Sequence, residues 1–140
     1  MIIAVALALA AAVQPDFVWH AANGPDSVQY GSPGSDFRAL RIDCVDGRLS
    51  IGGPSAVDGP EGAPTVITFT TPAGRERRRA TLEIAGDGTN FFAPVAASDP
   101  ALQALIRGQI LRIRQGREEY RVPGRGSAML LRRLIRSCRR

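Results

Sequence analysis

The sequence predicts a mainly β fold: an antiparallel β-sandwich or half-open barrel with two short helices, the carboxyl-terminal one stapled by a disulfide. Three observations carry this expectation. Short segments alternate apolar and polar residues, Gly, Pro and Asp punctuate them at short intervals, and the chain has only two cysteines, one of them on the apolar face of its last segment.

The amino end reads as an address rather than as part of the fold. Residues 2–13 are an uncharged apolar run that ends at Gln14-Pro15-Asp16. A run of this length falls short of the roughly 20 residues a membrane-spanning helix needs. It matches the apolar region of a secretory signal peptide, and Ala8, Ala10 and Ala12 offer A-x-A cleavage sites. The expected organisation is therefore a signal peptide over residues 1–12 and a single β-rich domain over 13–140, placed in the periplasm or secreted.

"FVWHAA" (17–22) predicts a short strand, and "SVQY" (27–30) a second beyond the turn residues "NGPD". Residues 37–45 and 48–51 form the clearest hairpin, because Asp46-Gly47 suits a two-residue type I′ turn. "GGPSAVDGPEGAP" (52–64) is rich in Gly and Pro and predicts a loop throughout. "TVITFTT" (65–71) and "RERRRATLEIAG" (75–86) alternate, with Pro72-Ala73-Gly74 as a three-residue hairpin loop, and "TNFFAPVA" follows the turn Gly86-Asp87-Gly88.

Asp99-Pro100 combines an N-cap with proline at the first helical position, and Gly108 supplies the stop, which predicts a helix of about two turns. "QILRIRQ" and "EEYRV" predict another hairpin across Gly116-Arg117, and Ser127 is expected to cap the final helix. In that helix Leu131, Leu134, Ile135 and Cys138 share one face, and Arg132, Arg136, Arg139 and Arg140 cover the other.

Cys44 falls on the apolar face of its strand, in phase with Leu40 and Ile42. An exported chain meets an oxidising compartment, so Cys44 and Cys138 are expected to form one disulfide. It pins a short helix whose solvent face carries like charges at i, i+4 spacing.

Charge is uneven. Residues 101–140 hold 11 Arg against Glu118 and Glu119, a net of +9, and residues 1–100 hold 7 Arg against 11 acids, a net of −4. Every basic residue is arginine, a pattern that a GC-rich coding genome explains more simply than phosphate recognition does. The arginine face of the last helix is the candidate face for an anionic partner. Nucleic acid is not an expected partner, because aromatics make up 6% of the chain and no binding motif is present.

The sequence provides little for catalysis. His20 is the only histidine, and it is expected at a strand edge. There is no G-x-S-x-G, H-E-x-x-H, C-x-x-C or P-loop pattern, and Ser32 and Ser35 read as turn residues. Asp43 with Asp46, or Asp58 with Glu61, would supply a carboxylate pair, and both pairs read better as turn and loop acids. No catalytic residue, metal ligand or cofactor is expected.

The stretch "DPALQALIRGQILRIRQGREEYRVPGRGSAMLLRRLIRSC" has the outline helix, Gly, β-hairpin, Pro-Gly, capped helix, Cys. It resembles the ends of small exported proteobacterial proteins of unknown function and, more distantly, invasion-associated locus B-like and VasI-like periplasmic proteins. The resemblance implies a β-rich periplasmic domain without an established active site. The leading expectation is an exported, non-catalytic envelope protein that binds a partner protein or an anionic envelope component. The alternatives are a small carboxylate-based hydrolase or glycan-active enzyme, and an inhibitor of a lysozyme or protease acting through a protruding loop.

Overall fold

The computed structural model describes residues 16–22, 24–34, 37–86 and 88–139. The expected signal peptide, Ser35 and Arg140 lie outside the described residues.

The alternating segments form nine strands: β1 (Val18–Ala21), β2 (Ser27–Gly31), β3 (Arg38–Val45), β4 (Arg48–Pro54), β5 (Pro64–Thr71), β6 (Gly74–Ala85), β7 (Gly88–Val95), β8 (Ile110–Gln115) and β9 (Glu118–Pro123). They make one antiparallel sheet of 9 strands in the order β1-β2-β3-β4-β7-β6-β5-β8-β9. The helices are α1 (Pro100–Ile106) and α2 (Ala128–Cys138).

Of the two expected architectures, the half-open barrel is the one found. Trp19 lies on one edge strand and Pro123 on the other, yet the Trp19 indole N–H donates to the Pro123 carbonyl at 2.8 Å. The Tyr120 hydroxyl likewise donates from β9 to the Ala39 carbonyl of β3 at 3.0 Å. Two side-chain bonds thus bridge a seam between strands that are not neighbours in the sheet order.

The inward residues of the alternating strands supply the core. Leu40, Ile42, Ile51, Ile67, Phe91 and Ile113 are all buried in it. The helices cover the end of the barrel at which β3 turns into β4. There Leu102 and Leu105 of α1, and Leu131, Leu134 and Cys138 of α2, join the same apolar cluster. The disulfide between Cys44 and Cys138 ties α2 to β3, with Cα atoms 5.7 Å apart across 94 residues of sequence.

Local chemistry explains most boundaries. Asp46 and Gly47 have φ of 52° and 74°, the pair of positive values a type I′ turn requires. The Asp99 carboxylate accepts from the Ala101 amide at 2.9 Å, capping α1, and Pro100 follows at the first helical position.

Three details differ from the sequence expectation. Gly52, Gly53 and Pro54 belong to β4, so the loop is residues 55–63. The two glycines are needed for close approach: a Cβ on Gly52 would lie 2.6 Å from the Phe92 ring, and one on Gly53 would lie 2.6 Å from the Tyr120 hydroxyl. The β5–β6 turn has two residues, Pro72 and Ala73, because Gly74 already pairs with Thr71. Ser127 stands at the start of α2 without a side-chain cap. Its hydroxyl donates to the Leu105 carbonyl at 2.8 Å, at the end of α1 where carbonyls run out of helical partners, and so links the two helices.

Candidate functional site

Concave regions lie at opposite ends of the barrel, and a charged face runs along its outside. The first is a groove between α1 and α2 at the helix-covered end. The Ser127 to Leu105 bond sets the two helices side by side, and α2 then turns its apolar face down and its arginines up. Arg107, Arg132, Arg136 and Arg139 line a groove of about 610 Å³ together with Ser98, Gln103 and Ile135, and among the described residues no acid lines it. All four arginines are exposed, and none has an ion pair among the described residues.

This is the arginine face expected from the sequence, with one addition and one residue outside the described set. Arg140 lies outside the described residues, and Arg107 joins from the carboxyl end of α1. The sequence holds a weak signal for Arg107, which sits just before the helix stop at Gly108. Only the packing of α1 against α2 reveals its side of the groove.

The outer face of β6-β5-β8-β9 carries a second set. Register places Arg77 opposite Thr68 and Thr68 opposite Arg114; one step along, Arg75 faces Thr70, Thr70 faces Arg112 and Arg112 faces Arg121. All of these arginines are exposed. Strands spaced about 4.8 Å apart thus hold guanidinium groups in rows with threonine hydroxyls between them. Arg78 points the other way and is committed, pairing with the buried Asp99 carboxylate at 2.5 Å and with Glu76.

The second concave region is the open end of the barrel, a cavity of about 780 Å³. Phe17, Tyr30, Phe37, Phe91 and Tyr120 line it, five of the eight aromatic residues in the chain (Phe 5, Tyr 2, Trp 1). Phe17 packs edge-on against Tyr30, with ring centroids 5.6 Å apart, and lies tilted against Phe37 at 5.4 Å; Trp19 lies tilted against Tyr30 at 5.4 Å. Burial raises the phenol pKa of Tyr30, and raises that of Tyr120 far more.

Gln115 and Ser55, two of the polar residues that line the cavity, are already engaged. The Gln115 amide donates to Ser55 Oγ at 3.0 Å and to Thr65 Oγ1 at 3.1 Å, and its oxygen accepts from the Ala56 amide at 2.6 Å. One buried amide thereby ties the start of loop 55–63 to the barrel rim. Farther along, Glu61 accepts from the Ile84 amide at 2.6 Å, and Gly62 donates to the Leu82 carbonyl at 2.8 Å, so the loop lies along β6.

Sequence reasoning missed this cavity because its residues sit on seven separate strands or their flanks. The nearest available signal is that Tyr30 and Phe37 bracket the same turn, "GSPGSD".

The residues weighed for catalysis have structural engagements. His20 lies on the edge strand β1, between the Val18 carbonyl at 3.2 Å and the Gln29 amide at 2.8 Å. The hydrogen bond from Gln29 to Nε2 assigns the ring proton to Nδ1. Asp43 binds Arg41 Nε at 2.5 Å, and that guanidinium lies 5.3 Å from the Phe92 ring centroid. Asp46 forms the hairpin turn, and Asp58 accepts from Thr89 at 3.4 Å.

Comparison of the chain with family models, curated proteins and solved structures finds no match. Among the described residues no helix is long and apolar enough to cross a membrane, and no group of three or more His, Cys, Asp or Glu is placed to hold a metal.

Proposed function

We propose that this chain is an exported, non-catalytic envelope protein that holds phosphate-bearing lipid head groups in the groove between α1 and α2. The observation that carries the reading is the convergence of Arg107, Arg132, Arg136 and Arg139 on one concave surface that no acid among the described residues lines. Guanidinium forks match phosphate oxygens, and four of them in one groove suit a ligand with repeated anionic oxygens. The leader-like apolar run and the disulfide support export, since a structural disulfide persists in an oxidising compartment. The structural engagements of His20, Asp43 and Glu61 support binding over catalysis.

Co-sedimentation with vesicles tests it. The exported protein binds vesicles of phosphatidylglycerol and phosphatidylcholine, not phosphatidylcholine alone, and salt weakens the binding. Replacing Arg132 and Arg136 with Glu lowers binding at least about tenfold, because each basic residue near an anionic surface contributes about 1 kcal/mol. Equal binding to both vesicles, or none, overturns the reading. Turnover of ester or glycoside substrates moves the protein to the hydrolase class. Inhibition of a lysozyme or protease that is lost on shortening loop 55–63 moves it to the inhibitor class.

A further inference from the structure

We infer that the open end of the half-barrel is a second binding site, for a small organic cation with an apolar body, such as a quaternary ammonium compound that bears an aromatic group. This goes beyond the head-group reading and does not depend on it, because the cavity and the α1–α2 groove share no lining residue.

The charge of the ligand follows from the strand register. Among the described residues, Glu118 and Arg121 are the charged ones that line the cavity. Glu118 stands opposite Gln115, the last of the buried alternate residues Leu111, Ile113 and Gln115 of β8, so its carboxylate is turned inward at the rim. Arg121 stands opposite Arg112, which shares the exposed outer face of β8 with Arg114, so its guanidinium leaves on the other side of the sheet. The inward charge is therefore an acid. Glu118 is exposed and has no ion pair among the described residues, so a cation reaching the rim meets a carboxylate that none of their arginines neutralises.

The rings supply the rest of the recognition. The cavity volume of about 780 Å³ lies within the roughly 300–1,000 Å³ typical of small-molecule sites. Phe17 meets Tyr30 at an interplanar angle of 80° and Phe37 at 45°, so the three rings stand as walls rather than as one stack. A cation within about 6 Å of an aromatic face is drawn to the ring quadrupole. Phe91 and Ile113 add apolar wall for the body of the ligand. A quaternary nitrogen suits this lining because it has no N–H to satisfy. A primary ammonium carries three donors, and the Gln115 oxygen already accepts from the Ala56 amide at 2.6 Å.

Trp19 provides the readout, since it is the only tryptophan and lies tilted against Tyr30, a residue of the cavity wall. The probes are benzyltrimethylammonium, benzyl alcohol and phenylacetate, each titrated into the disulfide-bonded protein and followed by Trp19 emission and by calorimetry. No vesicle is present, so the outcome is separate from that of the head-group reading. Benzyltrimethylammonium is expected to bind saturably, one per chain, about tenfold more tightly than benzyl alcohol, the combined effect of one exposed ion pair and one cation–π contact. Phenylacetate is expected to bind more weakly than either. Glu118→Gln is expected to weaken the cation about threefold and leave benzyl alcohol unchanged. Phe37→Leu, which keeps an apolar side chain at a position 60% exposed, is expected to weaken the cation more than the alcohol. The inference is overturned if the cation does not bind saturably, if phenylacetate or benzyl alcohol binds as tightly, or if the cation binds unchanged in both variants.

Discussion

The Tyr120 hydroxyl donates to the Ala39 carbonyl at 3.0 Å, across a seam where β9 and β3 share no ladder. That bond, beside the one from Trp19 to Pro123, holds the sheet curled enough to enclose a cavity at one end. Burial raises the Tyr120 phenol pKa above its ordinary value of 10.0. A raised folded-state value means the neutral phenol contributes stability in full below pH 10, and that contribution is lost as pH rises above it. Unfolding free energy is therefore expected to fall above about pH 10. Tyr120→Phe costs about 1 kcal/mol at neutral pH and removes part of that alkaline loss. Denaturant melts across pH check both, and an alkaline slope identical in the variant contradicts the assignment.

The disulfide carries a second expectation. Cys44 and Cys138 close a separation of 94 residues, for which the chain-entropy estimate is about 4–5 kcal/mol. Reduction, or the double replacement of both cysteines by alanine, is expected to lower stability by an amount of this order. Amide exchange should then rise first in α2, whose exposed Arg132 and Arg136 repel at i, i+4 spacing. Equal protection of α2 with and without the bridge contradicts the role assigned to it.

Gly53 tests the seam from the opposite side. A Cβ there would stand 2.6 Å from the Tyr120 hydroxyl and 2.9 Å from the Ala39 carbonyl. Gly53→Ala is expected to destabilise by about 1–3 kcal/mol through overpacking. Gly34→Ala, with nothing within 4 Å of the added atom, is expected to stay within about 0.5 kcal/mol. Thermal melts of the two variants decide it, and equal melting temperatures would show that the close approach costs nothing.

Asp99 joins two elements. Its carboxylate caps α1 through the Ala101 amide at 2.9 Å and pairs with Arg78 of β6 at 2.5 Å. Asp99→Ala is expected to cost about 2 kcal/mol, the sum of a lost cap and a lost partly buried ion pair. Asp99→Asn keeps the cap acceptor and is expected to cost about half as much. Chemical denaturation separates the three proteins, and an Asn variant as unstable as the Ala variant assigns the whole effect to charge.

What was legible in the sequence was local. Alternation located the strands, Asp46-Gly47 fixed one hairpin, Asp99-Pro100 started α1, and the helical phase of Leu131, Leu134 and Cys138 turned the cysteine inward toward Cys44. What stayed hidden depends on pairing between distant segments. Nothing local says that β7 pairs with β4, or that β8 pairs with β5. The β8–β5 pairing sets the arginine rows on the outer sheet. Gly52 and Gly53 look like loop residues because only the approach of the Phe92 ring and the Tyr120 hydroxyl makes their missing side chains a requirement. Phe17, Tyr30, Phe37 and Tyr120 each read as ordinary strand aromatics until the curl of the sheet brings them to one rim.

Intact-mass analysis of the protein recovered outside the cytosol, alkylated with and without prior reduction, tests the account most directly. It predicts a chain shortened by its apolar leader that takes up no alkyl group until reductant is added, and two afterwards. A full-length chain that alkylates at both Cys44 and Cys138 without reductant would contradict it.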